Sequence, residues 1–334
     1  MKSMLRSLVA AAATLAIGAA NAADFKPAVV YDMGGKFDKS FNEGVFNGVK
    51  RFTEETGVEV MEFEVTNEAQ RQRAMERLVQ RGATVLLGVG FAQAEAIDTV
   101  AKANPNVKFG IIDVFWLDQP NLRQFSFKEH EGSYLVGVAA ATKSATGKVG
   151  FVGGMDVPLI RKFACGYVQG VKSVSADIEV LQNMTGTTPS AWNDPVKGAE
   201  LAQSQIDRGA DIVYHAAGGT GIGVIQATAD AGKLAIGVDS NQNYLAPGKV
   251  LTSMVKRVDI AAYNHFKDAM DGKFEAGVSK LGLAEGGVDW ALDEHNKGLV
   301  AGAVETAVAA AREGILSGKV KVHNYESDSS CPVK

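Results

Sequence analysis

Between residues 28 and 239 the chain carries one pattern twice, and this duplication limits its possible folds more than any other feature. Phe41-x-x-Gly44-Val45-x-x-Gly48-Val49-Lys50 returns 122 residues later as Phe163-x-x-Gly166-Tyr167-x-x-Gly170-Val171-Lys172. Arg81-Gly82-Ala83-Thr84-Val85 returns as Arg208-Gly209-Ala210-Asp211-Ile212 at an offset of 127. Gly110-Ile111-Ile112-Asp113 is answered by Ile236-Gly237-Val238-Asp239 at an offset of 126. Any two strand–helix–strand units share some likeness, but three matches in one order at nearly one offset point to a duplicated unit.

Each half reads as four strands separated by three helices. The strands are expected near residues 28–32, 58–65, 84–90 and 108–114, and again near 148–153, 178–185, 211–217 and 234–239. Asp194-Pro195 supplies a helix cap followed by proline in the first turn. Gly82 and Gly209 each end a helix before a strand. Alternating strands and helices predict an α/β architecture, with a parallel sheet sandwiched by helices in each of two similar lobes. Beyond Val250 the chain offers a strand at 251–255, read as returning to the first lobe, and helices at 260–270 and 301–317. The lobes are expected to comprise 23–128 plus about 256–287, and 129–255 plus about 288–334, joined by a multi-stranded hinge.

The first strand leads into Asp32, a Gly34-Gly35 turn, and Ser40-x-x-Glu43, a capping-box spacing. The helix that follows is predicted to turn Gly44, Val45, Gly48 and Val49 onto its sheet. In open α/β sheets, ligands sit at the carboxyl ends of strands. Reading those ends gives Asp32, Phe41, Asn42, Gly90 and Asp113 from the first lobe. The second gives Gly153-Gly154, Trp192, the glycine loop Gly218-Gly219-Thr220-Gly221 and Asp239, with Lys256 closing the next strand. Phe41 and Trp192 offer flat apolar faces, the aspartates accept from hydroxyls and ring N–H groups, and Lys256 donates. That set suits a flat heterocycle bearing a sugar and repels a phosphorylated one. Each aspartate could instead serve only as a turn or cap, and Phe163 reads as core.

The first 22 residues read as a signal peptide. Lys2 and Arg6 form a basic start, Leu8 to Ala20 an apolar stretch too short to span a membrane, and Ala20-Asn21-Ala22 a cleavage site. No later stretch approaches the about 18 apolar residues a span needs. The mature chain is expected to begin at Ala23, in the periplasm, soluble and without a lipid anchor. Losing Lys2 and Arg6 lowers the basic count from 34 to 32 against 38 acids, a net charge of −6. No basic run suits nucleic acid. The two cysteines read as a buried free thiol, Cys165, and an exposed one, Cys331, although an oxidising compartment permits a bridge.

Enzyme signatures are missing from the sequence. Gly219-Thr220-Gly221 lacks the third glycine of a dinucleotide loop, because Val224 stands in its place. There is no phosphate loop or nucleophile elbow, and His130, His215, His265, His295 and His323 have no metal-ligand spacing. No catalytic residue, metal or cofactor is expected.

Taken together, strand-Asp32-Met33-Gly34-Gly35, then Asp38-Lys39-Ser40-Phe41-Asn42, the loop Ala217-Gly218-Gly219-Thr220-Gly221, Gly237-Val238-Asp239-Ser240-Asn241-Gln242 and Thr252-Ser253-Met254-Val255-Lys256-Arg257 resemble the basic membrane protein family. Its members are substrate-binding proteins of ABC importers, related to a purine nucleoside receptor lipoprotein. The likeness covers nearly the whole mature chain. It implies a two-lobed type I periplasmic-binding fold that closes on a purine nucleoside, and a monomer that delivers it to an ABC permease. Carried over by motif, Asp32 and Asp113 would bind the base, and Phe41 and Trp192 would sandwich it. Gly218 or Gly219, Asp239 and Lys256 would hold the ribose. Relatives often have Asn after the first Asp where this chain has Met33, which leaves the base open. A free purine base, riboflavin or a sugar are the alternative solutes, and a nucleoside hydrolase the alternative class. Mass spectrometry of exported protein should give a mature mass starting at Ala23; an intact Met1 or an acylated terminus would overturn the leader reading.

Overall fold

A computed structural model describes residues 25–333. The leader and the Ala22/Ala23 cleavage site fall outside the described residues. The first sheet contains β1 (Pro27–Tyr31), β2 (Met61–Glu64), β3 (Val85–Gly88), β4 (Lys108–Ile112) and β5 (Leu122–Phe127), with β11 (Gly277–Leu281) joining late. The second contains β6 (Lys148–Met155), β7 (Glu179–Gly186), β8 (Ile212–Ala216), β9 (Leu234–Asp239) and β10 (Val250–Lys256), with β12 (Val288–Trp290) joining late. Strand order is 11-5-4-3-1-2 in the first sheet and 12-10-9-8-6-7 in the second. The order 5-4-3-1-2 thus recurs as 10-9-8-6-7, and the duplicated sequence is a duplicated topology. All described strand pairs run parallel except β12 on β10. Continuous apolar runs suit strands covered on both faces, and all five residues of β1 and of β8 are buried.

The helices are α1 (Phe41–Thr56), α2 (Gln70–Gln80), α3 (Ala94–Ala103), α4 (Glu129–Lys143), α5 (Pro158–Val174), α6 (Pro195–Asp207), α7 (Thr220–Asp230), α8 (Val258–Met270), α9 (Lys297–Val300) and α10 (Ala303–Leu316). The chain passes between the lobes at Phe127–Glu129, at Lys256–Val258 and between β11 and β12. One apolar cluster runs through this region, holding Val45 and Phe52 of the first lobe, Phe125 and Phe127 of β5, and Phe151 and Tyr214 of the second.

Three readings need correction. The strand read as returning to the first lobe is β10, paired parallel with β9 in the second sheet, so the chain leaves the second lobe only after Lys256. The small residues of α1 face another helix rather than the sheet. A methyl on Gly48 would overlap the Asp259 carbonyl of α8, and one on Gly44 would come within 2.8 Å of Val258. The repeated Gly166 and Gly170 of α5 do the same against the His130 and Tyr134 carbonyls of α4. The duplicated phenylalanine–glycine pattern is therefore a helix-pairing device in each lobe. The cysteines, finally, are bonded: Cys165 of α5 and Cys331 form a disulfide. Sequence spacing alone carries no information on the path of the tail, which returns along α5. The Gln169 side chain there accepts from the His323 backbone N–H at 2.8 Å and donates to its carbonyl at 3.0 Å.

Gly170→Ala should destabilise the protein by about 1–3 kcal/mol through overpacking of α4 on α5. Urea unfolding measures this. An unchanged midpoint would mean the helices separate without cost.

Candidate functional site

Between the lobes lies a cleft. Asp32, Phe41, Asn42, Asp113, Trp192, Gly218, Asp239 and Lys256 all line it. Gly219 does not; it is buried behind them, close to the Trp192 carbonyl. Sequence reading missed Asp38, Phe91, Leu159 and Ile160, noted Met33 only as leaving the base open, and assigned Phe163 to the core alone, although all six also form the wall. Apolar wall residues resemble core residues in a sequence, and only the fold separates them.

Two of the acids occupy equivalent places in the repeat. Asp113 follows β4 with φ of 67° and Asp239 ends β9 with φ of 61°. Left-handed backbone at a residue other than glycine is uncommon, and Asp and Asn tolerate it best. In both lobes the strand turns sharply at an acid, which places its carboxylate in the cleft.

The entry to α1 shows how its charges are distributed. Ser40 sits at the helix start, but its hydroxyl caps nothing. Asp38 takes that role, accepting from the backbone N–H groups of Ser40, Asn42 and Glu43 at 2.9, 3.0 and 3.1 Å. Glu43 accepts from the Lys39 N–H rather than from Ser40. The freed Ser40 hydroxyl donates to Asp239 at 2.6 Å across the seam. The expected capping box is thus replaced by an aspartate two residues upstream, a signal present in Asp38-Lys39-Ser40. Asn42 is structurally engaged: its amide oxygen accepts from the Asp32 N–H at 3.1 Å and its NH2 donates to Asp38 at 3.2 Å. Asp32 is steadied by Arg71 of α2, whose guanidinium stands 3.4 Å away.

Lys256 is enclosed. Its ammonium lies 2.6 Å from Asp113 and 2.9 Å from Glu129, and 5.1 Å from the ring centres of both Phe41 and Phe127. Phe163 adds a third ring at 5.6 Å. Cation–π attraction and two carboxylates thus hold one charge in place. Burial pulls the Lys256 pKa down, but Asp113, Glu129 and Asp239 push it above its ordinary value. Burial likewise acts to raise Glu129, yet Lys162 and Lys256 bring it down to about 2. Asp239 has weaker support. Burial pushes it up to about 7, against the pull of Lys256 and Ser40.

The opposite wall is Trp192. Its indole rests on Gly154, where any side chain would overlap the six-membered ring. Thr220 pins the loop by donating to the Ala191 carbonyl at 2.8 Å and accepting from the Asp194 N–H at 2.7 Å. The set can accept from hydroxyls and ring N–H groups, donate from one ammonium, and bury flat apolar faces. Among the described residues, no group of three His, Cys, Asp or Glu is placed to hold a metal. No described helix is long and apolar enough to cross a membrane.

The raised Asp239 pKa fixes the sign of one pH effect. The folded state keeps this proton up to about 7 while the unfolded chain releases it near 3.8, so the group costs stability progressively as pH rises between these values. Asp239→Asn should therefore gain on the wild type from pH 4 to pH 7, then level off. Urea unfolding of both proteins across that range checks it, and a constant difference would refute it.

The comparisons agree with this fold. The family model described as ABC transporter substrate-binding protein PnrA-like matches residues 25–324. The ABC transporter nucleoside-binding protein BmpA of Lactococcus lactis subsp. cremoris is 35% identical over 321 residues, covering 90% of this chain and 89% of that protein. The CD4+ T-cell-stimulating antigen of Listeria monocytogenes is 32% identical, covering 90% and 88%. Among solved structures, a solute-binding protein of an ABC transporter system from Aeropyrum pernix K1 superposes with a TM-score of 0.80 at 28% identity, covering 89% of this chain and 92% of that one. A two-lobed α/β chain of this topology, matched along nearly its whole length, belongs to the Bmp family of PnrA-like ABC transporter substrate-binding proteins.

Proposed function

We propose that the protein binds a purine nucleoside, or a similar ribosylated heterocycle, between its lobes and presents it to the permease of an ABC importer. It would do so outside the cytoplasm. The observation that carries this reading is the placement of Asp113, Asp239 and Lys256 in one cleft with Phe41 and Trp192. Acceptors for hydroxyl and ring N–H groups thus stand beside two flat apolar faces, the complement of a sugar joined to a heterocycle. The nucleoside-binding name of the Lactococcus lactis relative supports the same class. The three acids argue against a phosphorylated solute. The matched family is described as substrate-binding, and the reading is one of binding and release.

In this orientation Asp239 and Lys256 hold the sugar, and Phe41 and Trp192 the ring. Asp32, steadied by Arg71, and Asp113 face the base. Asp239→Ala leaves sugar hydroxyls unpaired in a closed site, and charge-assisted hydrogen bonds contribute about 1.5–3 kcal/mol. Affinity should fall roughly ten- to a hundredfold, and the preference for a nucleoside over its free base should largely disappear. Trp192→Ala should cost about 1–3 kcal/mol, on the scale of base–aromatic stacking, and leave that preference intact. Calorimetry of both variants with guanosine, adenosine, inosine and their free bases decides. Equal weakening of nucleoside and base by Asp239→Ala would place the carboxylate away from the sugar. No heat with any of them on the wild-type protein would overturn the solute class.

A further inference from the structure

Lys256 does not end its ion pairing at Glu129. That carboxylate has two oxygens, and in the structure their partners are two lysines. One oxygen stands 2.9 Å from Lys256 and the other 2.6 Å from Lys162 of α5. Among the described residues neither oxygen has a hydrogen-bond partner, so the two lysines are their only compensation there. Glu129 and Lys162 are almost wholly buried, with side-chain exposures of 0% and 2%. Lys162 in turn lies 2.7 Å from Glu326 and donates to the Phe127 carbonyl at 3.1 Å. Glu326 belongs to the C-terminal tail, which the Cys165–Cys331 bond and the Gln169–His323 pairing hold against α5. A line of alternating charges therefore runs from the tail to the cleft: Glu326, Lys162, Glu129, Lys256, Asp113. It passes through Glu129 and Lys256, which sit at two of the three passages between the lobes.

We propose that Glu326 is a positioning residue for the binding site, and that the disulfide-held tail exists in part to supply it. Glu326 offsets the charge of Lys162, so that Glu129 can serve both lysines. Without it, Lys162 competes with Lys256 for a single carboxylate. Lys256 then leans on Asp113, whose oxygens are withdrawn from the solute. Buried groups in one network are coupled in this way although the end members never touch.

The affinity arm rests on the nucleoside reading, so a second arm without ligand accompanies it. In the first, calorimetry measures binding of the tightest of guanosine, inosine and adenosine to the oxidised protein. Glu326→Gln should weaken binding roughly two- to thirtyfold, the range for network residues that do not touch the ligand. In a Lys162→Met background the same change should have less than about a twofold effect, because there is no charge left to offset. The Cys165→Ser/Cys331→Ser variant should weaken binding comparably, with Glu326→Gln adding nothing further. Wild-type affinity in Glu326→Gln, or the same loss in every background, would overturn the proposal. In the second arm, urea unfolding without ligand compares Glu326→Gln, Lys256→Met and the double variant. Non-additive unfolding constants, by about threefold or more, support the network; additive ones overturn it. If no nucleoside binds the wild-type protein, the functional reading fails while this arm still decides.

Discussion

The Lys256 ammonium is the point on which the two halves of the molecule converge. It comes from the last residue of β10 in the second sheet, pairs with Asp113 at the end of β4 in the first, and shares Glu129 at the first passage between them. A charge so deeply enclosed is tolerable only because carboxylates and three aromatic rings surround it. Removing one carboxylate takes away part of that compensation in a low-dielectric interior. Asp113 and Lys256 both pair across the seam between the lobes and line the cleft, so the seam and the wall of the site rest on the same ion pair.

Duplication explains why the site is nearly symmetric in backbone yet asymmetric in chemistry. Asp113 and Asp239 occupy equivalent left-handed turns. One is answered by an ammonium, the other by the Ser40 hydroxyl. Two acids placed alike by the fold are therefore given different partners by the interface, one a cation and the other a hydroxyl, while burial raises the proton affinity of both. A solute in the cleft meets two acceptors of different strength, one from each lobe.

Much of this was legible in the sequence, and the exceptions have physical causes. The repeat gave the sheets because strand–helix alternation is encoded locally, residue by residue. It placed the aspartates because strand ends in parallel sheets converge. β11 and β12 escaped notice because they lie at sheet edges, where the apolar signal is weak; β5 was missed although its six residues exceed the four or five of β1 to β4. Ser40-x-x-Glu43 has the form of a capping box, but Asp38, two residues upstream, competes for the same N–H groups with a stronger acceptor and wins. Arg71, Lys162, Glu129 and Glu326 were invisible for a different reason. A buried ion looks like a surface ion until the fold shows what covers it.

The capping of α1 by Asp38 has a mechanical meaning. The helix start is satisfied wholly within its own lobe, and α1 and α8 pack together in that lobe as well. The bonds that cross the seam, including Ser40 to Asp239, Ser240 to the Ser40 carbonyl, Gln242 to the Lys39 carbonyl and Lys256 to Asp113, contribute nothing to the capping of α1 or to its packing on α8. The lobes can therefore be parted at these bonds without unwinding α1 or repacking that helix pair. Water can take up every one of these donors and acceptors, so separation exchanges bonds rather than abandoning them.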